Sequence, residues 1–119
     1  MAASMTSPVG RFADDSAFRV TVEHVLRELL DQVDEIDFDL DPRITPGNLQ
    51  VVFEDDGSTF VLSQQTPTHE LWLSANLTAW HFRLIGGEWV ERDTQEPMLT
   101  VLGRLFSQKV GDDVAFSLA

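Results

Sequence analysis

The chain changes its hydrophobic period twice, and this constrains the fold more than any other feature. Near the start, Phe18, Val22, Val25, Leu26, Leu29 and Val33 recur at the spacing of one helix face. From residue 36 to about 91, apolar and polar residues alternate in short runs separated by turn residues. After Pro97 the helical spacing returns with Met98, Leu99, Leu102, Leu105, Phe106 and Val110, and Gly111 stops it. The order is helix, about six strands, helix. Two helical stripes and one sheet face are buried together most simply in an α+β, two-layer α/β sandwich. Both helices then lie on one face of an antiparallel sheet. A chain of 119 residues supplies one such core and not two.

Punctuation along the chain agrees with this layout. Ser16 is placed to cap the first helix. Pro42 and the group Pro46, Gly47 and Asn48 break the chain before the strand that starts at Leu49. Asp55, Asp56, Gly57 and Ser58 read as a hairpin turn, as do Gly86 and Gly87. Residues 1–14 read as a flexible leader without a secretory apolar stretch, and 15–119 as a single domain. Val114, Phe116 and Leu118 alternate, which predicts a final segment lying back over the groove between the helices.

Residues 31–41 hold six carboxylates, and residues 28–42 contain no Lys or Arg, in a chain of formal charge −12. Ile36, Phe38 and Leu40 alternate with Asp37, Asp39 and Asp41, so a strand here would bury the first set and present the second outward. Carboxylates on one strand face stand about 6.8 Å apart, too wide to grip one ion tightly but suited to a ridge that collects cations loosely. The plainer alternative is a solvated face that keeps the protein soluble. Carboxylates this close repel, a cost that cations relieve.

Charge and composition also exclude functions. Nothing in so acidic a chain displaces counterions from nucleic-acid phosphates. Without cysteine there is no disulfide, thiol nucleophile, thiolate-held zinc or iron–sulfur cluster in this chain. No apolar run is long enough to span a membrane. Phosphate-loop, nucleophile-elbow and zinc-helix motifs are missing.

Alternation also says what the helix-free face of the sheet carries. Leu71 and Leu73 share one side, so Trp72 shares the other with Glu70 and Ser74; likewise His81 and Arg83 stand opposite Trp80, Phe82 and Leu84. Trp72 either anchors a partner or lies flat beneath its neighbours. His81 is either a ligand or a solvated strand histidine.

These residues together resemble the frataxin family in its bacterial CyaY-type form, over about residues 16–116. The resemblance rests on the segment from Ser63 to Ser74 with Gln65, Pro67 and Trp72, on His81 and Phe82, on Gly87 and Trp89, and on Ser107 and Gly111. It implies a helix–sheet–helix sandwich that binds iron, Fe²⁺ or Fe³⁺, weakly on an acidic ridge, where other divalent cations substitute. It assigns Asp15, Asp31, Asp34, Glu35, Asp37, Asp39 and Asp41 to that metal-binding ridge. It assigns Gln65 and Trp72 to a partner-binding sheet face, where alternation also places His81 and Arg83. Implied partners are the cysteine desulfurase and the iron–sulfur scaffold protein, with the chain a regulator or iron donor in cluster assembly. A monomer in the cytoplasm is expected, or in the mitochondrial matrix for a eukaryotic chain. Arg19, Ser63, Glu70, Thr78 and Ala79 depart from the family's usual residues, and residues 43–48 read as an insertion. Two other readings are an acidic secretion-type chaperone for a protein effector and a ferroxidase.

Overall fold

The two helical stripes and the alternating middle fold into two layers in the computed structural model, which describes residues 11–119. Helix α1 spans Asp15–Asp34, six strands follow as β1 (Leu40–Thr45), β2 (Asn48–Phe53), β3 (Ser58–Gln65), β4 (Glu70–Ala75), β5 (Thr78–Ile85) and β6 (Glu88–Glu91), and helix α2 spans Met98–Val110. The strands form one antiparallel meander in chain order, β1 through β6. Every connection is local, so each strand pairs with its chain neighbour.

The stripe expected on α1 is buried residue for residue: Phe18, Val22, Val25, Leu26, Leu29 and Val33. On α2 the buried set is rotated slightly, with Val101 and Gly103 joining Met98, Leu102, Leu105 and Phe106, while Leu99 and Val110 are only partly covered. Both helices pack on the sheet face that carries Leu49, Val51, Phe53, Phe60, Leu62, Leu71, Leu73 and Phe82. At the centre, Phe53 meets Phe60 edge to face at 4.7 Å and Phe106 at 5.5 Å between ring centroids. Gly111 adopts φ 75° and donates its N–H to Ser107, the left-handed cap that ends α2.

Three local expectations are corrected. Asp14, not Ser16, caps α1, accepting from the Ala17 N–H at 2.8 Å. Residues 36–39 are not strand, because the chain there descends from the helix layer and the β1–β2 register begins only at Leu40 opposite Phe53, with the Asp39 C=O just ahead of it accepting from the Glu54 N–H. Its in–out alternation survives through successive tight turns, Phe38 N–H to Ile36 C=O and Leu40 N–H to Phe38 C=O. Pro42 does not break the chain, and residues 43–48 follow it as ordered structure. Both belong to the β1–β2 hairpin, and β1 lies at the sheet edge, where a proline is tolerated.

The final segment straps the helices together as its alternation suggests. Phe116 is buried against Phe106, and Gln32 both donates to the Ser117 C=O and accepts from its N–H, each at 2.8 Å. Residues 1–10 of the expected leader lie outside the described residues. Phe12 is buried, with its N–H bonded to His69 Nδ1 at 2.9 Å. Among the described residues no helix is long and apolar enough to cross a membrane.

Candidate functional site

Strand direction gathers carboxylates that the sequence keeps far apart. The C-terminus of α1, the link to β1, the β2–β3 turn and the C-terminus of α2 all lie at one end of the sandwich. Glu54 donates its N–H to Asp39 C=O, joining the β2–β3 turn to the link, and Lys109 of α2 reaches Asp55 and Asp56 in the turn. An open groove of about 570 Å³ separates Glu35 and Asp37 from Asp112 and Asp113. The end therefore carries Asp31, Asp34, Glu35, Asp37 and Asp39 from the expected ridge. To them it adds Glu54, Asp55, Asp56, Asp112 and Asp113.

Two helix C-termini, each the negative end of its dipole, point the same way, and the last turn of α1 has no basic residue to offset it. Lys109 is the one basic side chain bonded within this end among the described residues. It lies over the Phe53 ring at 5.1 Å and, with the Ser58 N–H, holds the Asp56 carboxyl well below the usual carboxylate range. Among the described residues no three of His, Cys, Asp or Glu come close enough to hold one metal ion as a cluster. The chemistry on offer is a diffuse, hydrated negative field and not a ligand cage.

Two of the expected ridge residues lie elsewhere. Asp15 sits at the other end of α1, about 24 Å from Asp31 at 1.5 Å per residue. There its carboxylate bonds His69 Nε2 at 2.8 Å, and this contact lowers its pKa. His69 is 2% exposed, stacks on Phe18 at 4.8 Å and accepts the Phe12 N–H on Nδ1, so it acts as a clamp for the segment before α1. Asp41 falls by register on the outer sheet face and pairs with Arg43 at 2.7 Å.

That outer face is assembled as alternation predicts. Ser63, Trp72 and His81 lie side by side in one row across β3, β4 and β5, and Gln65, Glu70 and Arg83 form the next. Trp72 is half-buried, with His81 edge-on at 4.5 Å and its indole N–H donated to Glu70 at 2.9 Å. Gln65 donates to the Ser63 hydroxyl at 3.5 Å.

Glu70, which sequence reasoning left as an ordinary outward residue, is 1% exposed and bonded by Arg83 and Arg92, each at 3.3 Å. A signal for it existed: a two-residue turn at 76–77 sets Glu70 opposite Arg83 by counting outward. Glu91, also buried, accepts the N–H groups of His81, Asp93 and Thr94, ending the sheet where β6 stops.

Burial pushes both glutamates' pKa values up, and the donors more than reverse it. For Glu70 these are Trp72, Arg92, Thr68 and Arg83; for Glu91 they are chiefly the three backbone N–H groups. Depressed values place the associated stability above the ordinary carboxylate range, to be lost as pH falls through the lowered folded-state values. Urea midpoints are thus expected to lose nothing to these groups between pH 7 and 5, then drop steeply below about pH 4. A midpoint that declines steadily from pH 7 to 5 would contradict this assignment.

The frataxin-like domain family matches residues 11–112. The iron–sulfur cluster assembly protein CyaY of Pseudomonas aeruginosa is 33% identical over 105 residues, covering 87% of this chain and 96% of that protein. The CyaY protein of Ralstonia nicotianae is 38% identical over 82 residues, 68% of this chain and 71% of its own. Among solved structures, frataxin from Psychromonas ingrahamii superposes with a TM-score of 0.80 at 21% identity, covering 87% of this chain and 98% of that one. Trimeric yeast frataxin complexed with ferrous iron superposes with a TM-score of 0.67 at 24% identity, covering 76% and 86%.

Proposed function

The chain belongs to the frataxin-like family, and we propose that it is an iron-binding regulator or iron donor in iron–sulfur cluster assembly. The observation that carries this reading is the convergence of carboxylates from four segments on one end of the sandwich, where Lys109 is the bonded cation. Such a field draws Fe²⁺ or Fe³⁺ with its hydration largely intact, so binding is weak and other divalent cations compete. Asp31, Asp34, Glu35, Asp37 and Asp39 do this work; Asp15 and Asp41, already engaged by His69 and Arg43, contribute little. The same end steers the protein, as a cytoplasmic monomer, onto a basic surface of the cysteine desulfurase. The outer face with Trp72, Gln65, His81 and Arg83 turns to the scaffold protein.

The test is a triple substitution of exposed side chains, D34N/D37N/D39N, measured against a purified cysteine desulfurase. At low salt the affinity is expected to fall on the order of tenfold, chiefly through slower association, and the salt dependence of binding to flatten. Unchanged affinity with an unchanged salt slope would refute docking through this end.

A further inference from the structure

The turn joining β4 to β5 carries an apolar side chain in a backbone conformation that disfavours it. Ala75 pairs with Thr78, leaving Asn76 and Leu77 as a two-residue hairpin loop with φ 52° and 62°. Two consecutive positive φ values define the type I′ turn, whose preferred pair is Asn-Gly. Asparagine tolerates the first position; leucine at the second has its Cβ crowded against the backbone. Leu77 is 107% exposed, so no packing inside the fold compensates. The buried His69 at φ 53°, by contrast, is held by Phe12 and Asp15.

The surroundings say what kind of surface would receive it. The register from β2 through β4 places this turn at the acidic end, next along the sheet from the turn holding Asp55 and Asp56. Residues 75–79 are themselves uncharged, so an apolar tip projects from an anionic rim. A backbone opportunity adjoins it. His81 uses its N–H and C=O toward the β6 side, bonding Glu91 and Arg92, so alternation aims those of exposed Ala79 the same way, beyond the last β5–β6 pair.

We propose that the β4–β5 tip is a docking element: Leu77 enters an apolar pocket on a basic protein surface, and the Ala79 main chain pairs with an extended segment at its rim. The inference rests on the reading that the acidic end docks the cysteine desulfurase. It adds that charge brings the surfaces together while Leu77 fastens them. Charge complementarity favours a basic partner over a second copy of this acidic chain.

Leu77→Gly separates the fold from the contact. Removing the crowded Cβ offsets the greater freedom of glycine in the unfolded chain, so the melting temperature is expected to hold or rise. Affinity for purified Pseudomonas aeruginosa cysteine desulfurase is expected to weaken about tenfold or more, with the salt slope unchanged. D34N/D37N/D39N, by contrast, flattens that slope. Wild-type binding that L77G leaves intact overturns the inference and spares the docking reading. Failure of the wild-type chain to bind at low salt overturns both. A wild-type dimer in light scattering that L77G dissolves overturns it too, by making a second copy the occupant. A lower melting temperature for L77G would refute the strain on which it stands.

Discussion

Phe53→Ala is expected to lower the unfolding free energy by about 4 kcal/mol, the largest effect of any single core truncation in this chain. Phe53 is fully buried, and its ring touches elements from both layers: Phe60 on β3, Phe106 on α2, and Phe38 in the link from α1. Truncation loses the transfer free energy of a benzyl group and leaves a cavity that three rigid aromatic neighbours cannot fill. It also removes the ring beneath Lys109, the cation bonded to Asp55 and Asp56. A domain of this size has about 5–15 kcal/mol of stability in total, so the variant should sit close to its threshold. Phe53→Leu keeps most of the volume and should cost about 1–1.5 kcal/mol. Urea titrations of both variants check this, and a loss below about 1.5 kcal/mol for the alanine would show that the core is not organised around this ring.

Glu70→Ala should cost about 2–3 kcal/mol, unusual for a residue on the solvent side of a sheet. Its carboxylate is the common acceptor for Trp72, Arg83 and Arg92, so removal strands three donors, leaves Arg83 without its counter-charge and leaves Arg92 with the more distant Asp93 at 3.9 Å. Arg83 already has a buried Nε without a partner, which leaves little slack. The figure stays below the 3–5 kcal/mol typical of a fully buried pair because the arginine side chains are 29% and 35% exposed and can turn toward water. Glu70→Gln keeps an acceptor for the indole and should cost roughly half as much. Thermal melts of the two variants decide it; a Glu70→Ala protein within 0.5 kcal/mol of wild type would mean that the charges on this face are independent.

These two residues mark where the sequence was transparent and where it was not. Phe53 stood at the end of an alternating run, and period alone placed it in the core, as it placed the whole stripe of α1. Glu70 obeyed the same alternation, yet its burial depends on two arginines from β5 and the loop after β6. Pairing across strands is a property of register, not of local pattern. The acidic run shows the same division. Residues 31–39 announced themselves by density, but Asp55, Asp56, Asp112 and Asp113 joined them only because the meander returns the β2–β3 turn and the end of α2 to one place. Asp15 failed as a ridge member for the converse reason. Resemblance carried it by position, while a helix of 20 residues carried it to the opposite end and His69 bound it there.

A titration of the ¹⁵N-labelled protein with Fe²⁺ under anaerobic conditions, followed residue by residue by NMR, tests the central claim most directly. The account predicts that amide signals of residues 31–39, 54–56 and 112–113 broaden first and that excess Mg²⁺ restores them, while those of Asp15, His69 and Trp72 persist. Broadening that begins at Asp15 and His69, or spreads evenly over the surface, would contradict it.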